Sequence, residues 1–256
     1  MSSCSQKVRF MLAQKGLDYE NINVDLHGGE NLESDFLKLN PKGVVPVLVD
    51  DEEVILESNN ICIYLDEKYP ENSLMPSTAK GRSDVRVLLQ QIDENVHYDI
   101  SACTYTIGFR PRLQKTYDTP EKLADYLASI PDAGKREFRK NIITKGLQSL
   151  EFEVGVKRSA AMIGRLDALL QNSDYLVGDD LSVADICYSP YITRLDHLAM
   201  SYIWQDKPAV KDWYARLQET EGYQRGFNDY FNEDVIAKMN AAGDAARKQM
   251  EEVLAK

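Results

Sequence analysis

The feature that most constrains this chain is a change of period. Up to about residue 72, apolar residues fall partly at helical and partly at alternating spacing. From about Thr78 onward they fall at helical spacing alone. A mixed segment followed by an all-helical one predicts an α/β domain over 1–72, in which a small sheet is covered by helices. An all-α bundle then follows over 78–256. A chain of 256 residues suits two domains of ordinary size.

Within the first segment, Val8, Met11 and Leu12 predict a helix over 4–15, stopped by Gly16. Ile22, Val24 and Leu26 alternate and predict a strand over 19–26. A short helix is expected near Ser34–Leu39. The run after Asn40-Pro41-Lys42-Gly43 is strand-like but interrupted by Pro46, which has no N–H for a ladder and marks a special turn or a strand end, cis or trans. A hairpin turning at Asp50-Asp51-Glu52 follows, and Ser58 is positioned to cap the helix running to about Tyr69. Residues 70–76 read as a linker.

In the second segment a long helix is expected through Val85–Tyr105. A loop would hold Gly108, Pro111 and Pro120, and further helices would cover about 120–130 and 135–171. Ser182 and Asp185 form a capping box, the helix they start is expected to be kinked or locally opened at Pro190, and two more helices follow Pro208 and Asn232.

Composition removes several functions. The net charge of −11 argues against a sequence-independent grip on nucleic acid and against an anionic membrane surface. No apolar run approaches the ~20 residues of a membrane span, and no cationic leader precedes an apolar stretch, so the expected compartment is the cytoplasm. Cys4, Cys62, Cys103 and Cys187 form no C-x-x-C pair, and His27, His97 and His197 have no ligand spacing. Neither a disulfide framework nor a metal site is expected. The glycine-rich phosphate motifs and the G-x-S-x-G elbow are absent.

Four stretches, in this order, resemble the glutathione transferase superfamily. They are Ser2-Ser3-Cys4-Ser5-Gln6-Lys7-Val8-Arg9, then Asn40 through Leu48, then Glu57-Ser58-Asn59-Asn60-Ile61, and finally Ser182-Val183-Ala184-Asp185-Ile186. The first is most similar to the zeta-like branch. The insert at about 108–150, with Thr106-Ile107-Gly108-Phe109, is more similar to bacterial tetrachlorohydroquinone dehalogenases and β-etherases. The resemblance implies a thioredoxin-like first domain, glutathione as co-substrate, a small hydrophobic electrophile as the second substrate, a homodimer and a detoxification role. It also implies a central strand ahead of the first helix. No residues before Met1 supply one, so the expectation is a start upstream; a start at Met1 would imply poor folding and weak glutathione affinity.

Glutathione must be held extended with its thiol ionised, and a helix N-terminus favours an anion through its free N–H groups and dipole. By the resemblance, Ser2 donates to the thiolate. Cys4 either attacks a glutathione–substrate adduct or packs as a small residue. A cis Pro46 would expose the backbone of Val45 to the cysteinyl backbone of glutathione. Ser58 would take the γ-glutamyl carboxylate, Glu57 would lie near the α-amino group, and Lys42 would meet the glycyl carboxylate or face solvent. Cys62, Cys103 and Cys187 read as buried hydrophobes, Asp185 as structural, and Trp204 and Trp213 as packing. The electrophile would sit between the domains, lined by Tyr98, Tyr105, Phe109 and Arg110. Tyr98 and Tyr105, seven apart, share a helix face; Arg110 and Arg112 could bind an acid or be solvated. Three readings stay open: thiolate attack on an electrophilic carbon (conjugation, dehalogenation or β-aryl ether cleavage), a zeta-like cis-trans isomerase, and a non-catalytic binding or stress protein.

Overall fold

Helix α1 (Ser3–Gln14) shows how local sequence sets the first element. Ser2 is its N-cap, and its Oγ accepts from the Ser5 N–H at 3.2 Å. At the other end Gly16 takes φ +65°. Its N–H donates to the Ala13 carbonyl, and the Leu17 N–H donates to that of Leu12, closing a Schellman motif. The computed structural model describes residues 2–26, 28–130 and 132–256. Met1, on which the expectation of an upstream start rests, and His27 lie outside the described residues.

The chain forms two compact units. The first comprises Met1–Gln90, Leu169–Pro190 and Asp212–Phe231. After α1 come α2 (Ser34–Leu39), strands β1 (Leu48–Asp50) and β2 (Glu53–Ile55), α3 (Ser58–Lys68) and α4 (Ala79–Gln91). The strands pair antiparallel, with Leu48 opposite Ile55 and Asp50 opposite Glu53. Asp51 and Glu52 both take positive φ at the turn, the geometry whose twist matches a two-residue hairpin. The expected strand over 19–26 does not form. Among the described residues the sheet has two strands, which pair with each other, so 19–26 has no ladder to join. Ile22 is left 77% exposed.

The core of this unit joins distant segments. Phe10 on α1 meets Tyr223 and Phe227 edge-on at 6.3 and 5.7 Å. Tyr223 belongs to α12 (Glu221–Gly226), where two glycines let α1 approach closely. A Cβ at Gly226 would lie 2.6 Å from the Phe10 backbone nitrogen, and one at Gly222 would overlap the Phe10 ring. A buried ion pair, Lys15 to Asp66 at 3.0 Å, ties α1 to α3. Asp66 also accepts from the Leu74 and Met75 N–H groups, pinning the linker.

Helix α10 (Val183–His197) starts at the expected capping box. The Ser182 N–H and Oγ donate to Asp185 at 2.9 and 2.6 Å. Pro190 lies inside this helix, where its missing N–H would orphan the Ile186 carbonyl. The Ser189 hydroxyl donates there instead, at 2.8 Å.

The second unit comprises Gln91–Ala168, Tyr191–Lys211 and Asn232–Lys256. It holds α5 (His97–Cys103), α6 (Arg110–Thr116), α7 (Pro120–Ala128), α8 (Ala133–Lys145), most of α9 (Leu150–Leu170) and α13 (Glu233–Leu254), while α11 (Pro208–Glu219) begins here. Wider π turns, Ile92–Val96 and Thr104–Phe109, flank α5. Gly108 and Pro111, expected in a loop, are therefore helical. Gly108 lies in the second π turn, and Pro111 occupies the first turn of α6, where a missing N–H is tolerated. The helix expected over 135–171 is broken at Gly146, whose φ of +56° ends α8. Asn232 caps α13 as its position predicts. No helix of the described residues is long and apolar enough to cross a membrane.

Candidate functional site

Two helix N-termini and one loop of the first unit carry the residues singled out from the sequence. At α1, Ser2 is the cap and Cys4 is half-buried. The Ser2 hydroxyl uses a lone pair on Ser5 and keeps its own proton for another acceptor. At α3, the cap is Glu57 and not Ser58. Glu57 takes φ +66°, ψ 112°, and its side chain makes no capping bond. A left-handed conformation at a residue with a Cβ costs about 1–3 kcal/mol and is characteristic of ligand-binding sites. Ser58 is the first helical residue, and its Oγ accepts from the Lys7 ammonium at 3.3 Å. The opening N–H groups of α3 thus receive no capping bond from the Glu57 side chain, which leaves donors for an anion such as a carboxylate.

Lys7 connects the two helix starts, and sequence reasoning gave it no role. It is 1% exposed, and its Nζ also donates to Asn59 Oδ1 at 2.9 Å; Asn59 in turn donates to the Leu89 carbonyl. The missed signal was a lysine one turn beyond Cys4, on a helix otherwise apolar at that face. Cys62, fully buried on α3, hydrogen-bonds the Cys187 thiol. That bond and burial hold the Cys62 thiol well above the ordinary thiol range, which suits a packing role.

The loop over 40–46 is pinned from within. Asn40 Nδ2 donates to the Val44 carbonyl at 2.7 Å, and Asn31 Nδ2 donates to that of Gly43 at 2.7 Å. Gly43 takes φ +59°, and a Cβ there would press on the Asn31 carbonyl at 3.0 Å. The Val45–Pro46 bond is cis. Lys42 reaches Glu57 at 2.6 Å, both side chains being exposed, and this bond raises the Lys42 pKa. Lys42, Glu57, Ser58 and the α1 N-terminus are therefore linked in one unit.

The four residues expected to line an electrophile site lie in the second unit and divide into two kinds. Tyr98 is 48% exposed and packs on Phe138 at 4.7 Å. Tyr105 packs on the same side, against Ala102, Phe138 and Ile142, so the shared face holds. Tyr105 and Phe109 meet edge-on at 5.3 Å within the π turn. Arg110 is engaged elsewhere: its Nε donates to the Ile143 carbonyl at 3.1 Å, and its guanidinium lies against Gly146 at the end of α8. It closes a helix C-terminus. Trp204 and Trp213 are both buried, the latter donating to Asp185.

Residues 1–68 match the model of the glutathione S-transferase N-terminal domain, and residues 147–216 that of the C-terminal domain. Glutathione S-transferase Z2 of Arabidopsis thaliana is 35% identical over 227 residues, covering 87% of this chain and 85% of that one. Protein LigF of Sphingobium sp. strain SYK-6 is 28% identical over 235 residues, 90% of this chain and 91% of its own. The crystal structure of β-etherase LigF superposes with a TM-score of 0.79 at 26% identity, covering 88% of this chain and 95% of that one. The chain belongs to the glutathione S-transferase family.

Proposed function

We propose that residues 1–72 hold glutathione and that its thiolate attacks an electrophilic carbon of a hydrophobic, aromatic substrate. Conjugation, dehalogenation and β-aryl ether cleavage share this step: a C–S bond forms, and halide or aryloxide leaves with the bonding pair. The observation that carries the reading is the first turn of α3, uncapped by the Glu57 side chain, beside the Lys42–Glu57 pair and joined through Lys7 to the Ser2-capped start of α1. The likeness to LigF supports the ether-cleaving form.

In this reading Ser58 and the adjacent N–H groups take the γ-glutamyl carboxylate, and Glu57 takes the α-amino group. The backbone of Val45, set by Pro46, pairs with the cysteinyl backbone, and Lys42 faces the glycyl carboxylate. Ser2 donates its free proton to the thiolate. Cys4 serves a reductive branch: its thiolate attacks the sulfur of a glutathione–substrate adduct, the C–S bond breaks, the carbon takes a proton, and a mixed disulfide forms for a second glutathione to resolve. The chain works as a cytoplasmic homodimer in detoxification, by family likeness.

A second reading is a glutathione-dependent cis-trans isomerase, favoured by 28% identity over 199 residues to maleylacetoacetate isomerase of Mus musculus. Retention on glutathione resin, together with thiol-dependent turnover of β-aryl ethers or chlorinated phenols, is expected. Ser58→Ala should abolish retention, Ser2→Ala should lower turnover by about 10², and Cys4→Ser should block only the reductive route. Wild-type protein that flows through the resin unretained sinks the proposal. Turnover of maleylacetone without glutathione consumption selects the isomerase.

A further inference from the structure

Within the second unit, one arginine is placed unlike its neighbours. Arg136 donates to the Ile130 carbonyl, and Arg110 to that of Ile143. Arg139, on α8, lies with its guanidinium 3.4 Å above the centre of the Tyr105 ring. Its Nε and Nη1 are shut off from solvent and donate to no acceptor among the described residues, and no carboxylate pairs with it there. A ring face satisfies the guanidinium's flat side only; the N–H groups radiate in its plane and call for an oxygen.

The surroundings are aromatic. Phe109 sits edge-on to Tyr105. Tyr117 and Tyr126 stack at 4.1 Å with planes 12° apart, and the Tyr126 phenol feels the Arg139 charge. A second cation reinforces the local field: Arg194 is fully buried and faces Tyr105, with burial pulling its pKa down to about 10. His197, beside Arg194, is driven down to about 4, first by burial and then by that charge. The Thr106 hydroxyl is likewise buried with no partner among the described residues.

We propose that Arg139, framed by Tyr105, Phe109 and the Tyr117–Tyr126 pair, is a specificity residue that grips an aromatic substrate by an anionic oxygen, carboxylate or phenolate. The inference rests on the transferase reading above, since it names the class of that enzyme's second substrate. Arg139 does not act on the reacting atoms; it selects and orients.

The test uses the full chain without glutathione, so that it is separable from the thiol chemistry. Binding of 2-naphthoate is compared with that of its methyl ester, and of 4-nitrophenolate at pH 8 with 4-nitroanisole, by calorimetry. The wild type should prefer at least one anion by about tenfold or more. Arg139→Gln should remove that preference while leaving the neutral probe unchanged, and Arg139→Lys should keep part of it. The pair that discriminates identifies the oxygen as carboxylate or phenolate. No preference in the wild type, or an undiminished one in Arg139→Gln, overturns the proposal. If Arg139→Gln loses its near-ultraviolet circular dichroism, the wild-type and Arg139→Lys arms decide. Glutathione retention is read separately: its loss would overturn the transferase reading and leave the anion preference standing.

Discussion

At the scale of single residues, Asp185 shows how much one buried carboxylate can hold. Oδ1 accepts from the Leu176 N–H and from Trp213 Nε1, both at 2.8 Å, and Oδ2 from the Ser182 N–H and hydroxyl. Burial raises its pKa, and the four donors counter without fully offsetting that. Asp185→Ala would strand these donors in the core, at about 1–3 kcal/mol each before relaxation. A total loss of about 3–5 kcal/mol is expected in urea unfolding, and Asp185→Asn should recover part of it. The Ser182 half of this cluster was legible because a capping box is a spacing of three residues. The Trp213 half was not, being 28 positions away. Lys7 escaped for the same reason: its partners Ser58 and Asn59 lie 51 and 52 positions downstream, and a lysine in isolation reads as solvated.

At the scale of elements, the two-stranded hairpin is too small to stand alone. Asp50 on β1 fastens it to α3, accepting from Tyr64 and Tyr69 at 3.1 Å and pairing with Lys68 at 3.0 Å. Burial pushes the Asp50 pKa up, but Lys68 and the two phenols outweigh it, so the net shift is downward. A carboxylate with a lowered folded pKa stabilises above its unfolded value, and that contribution is lost as pH falls through the folded one. Thermal unfolding of the wild type should therefore exceed that of Asp50→Asn near neutrality, and the gap should close below about pH 4. The hairpin and its turn were legible from the strand-like run after Gly43 and from Asp50-Asp51-Glu52. The second π turn and the start of α6 were not, because a window tuned to 3.6 residues reads Gly108 and Pro111 as a loop. Residues 19–26 mislead in the opposite sense: alternation records a capacity to pair, and pairing needs a second strand.

At the scale of the molecule, the transferase reading depends on segments far apart in the chain. The start of α1 is a proposed glutathione contact, yet its body is held by α12. Gly222 N–H donates to Gln14 Oε1, 208 positions away, and Arg9 Nε donates to the Gly226 carbonyl, 217 positions away. Gly226→Ala would force α12 off the Phe10 backbone. It should lower the unfolding temperature by several degrees, an overpacking cost of about 1–3 kcal/mol, and reduce retention on glutathione resin in parallel. Normal retention at lowered stability would show that the position of α1 does not set glutathione affinity. The four motifs that signal the family were readable in order, but nothing in a sequence of this kind shows that the first helix waits on the twelfth.

That dependence has a timing. A ribosome adds about 5–20 residues per second, so α1 leaves the exit tunnel roughly 10–40 s before α12 exists to cover it. During that interval Phe10 and Met11, which are wholly enclosed in the finished protein, have no lid. The glycine contact between α1 and α12 thus leaves the newborn first helix uncovered until α12 arrives, and makes that arrival the moment at which its position becomes fixed.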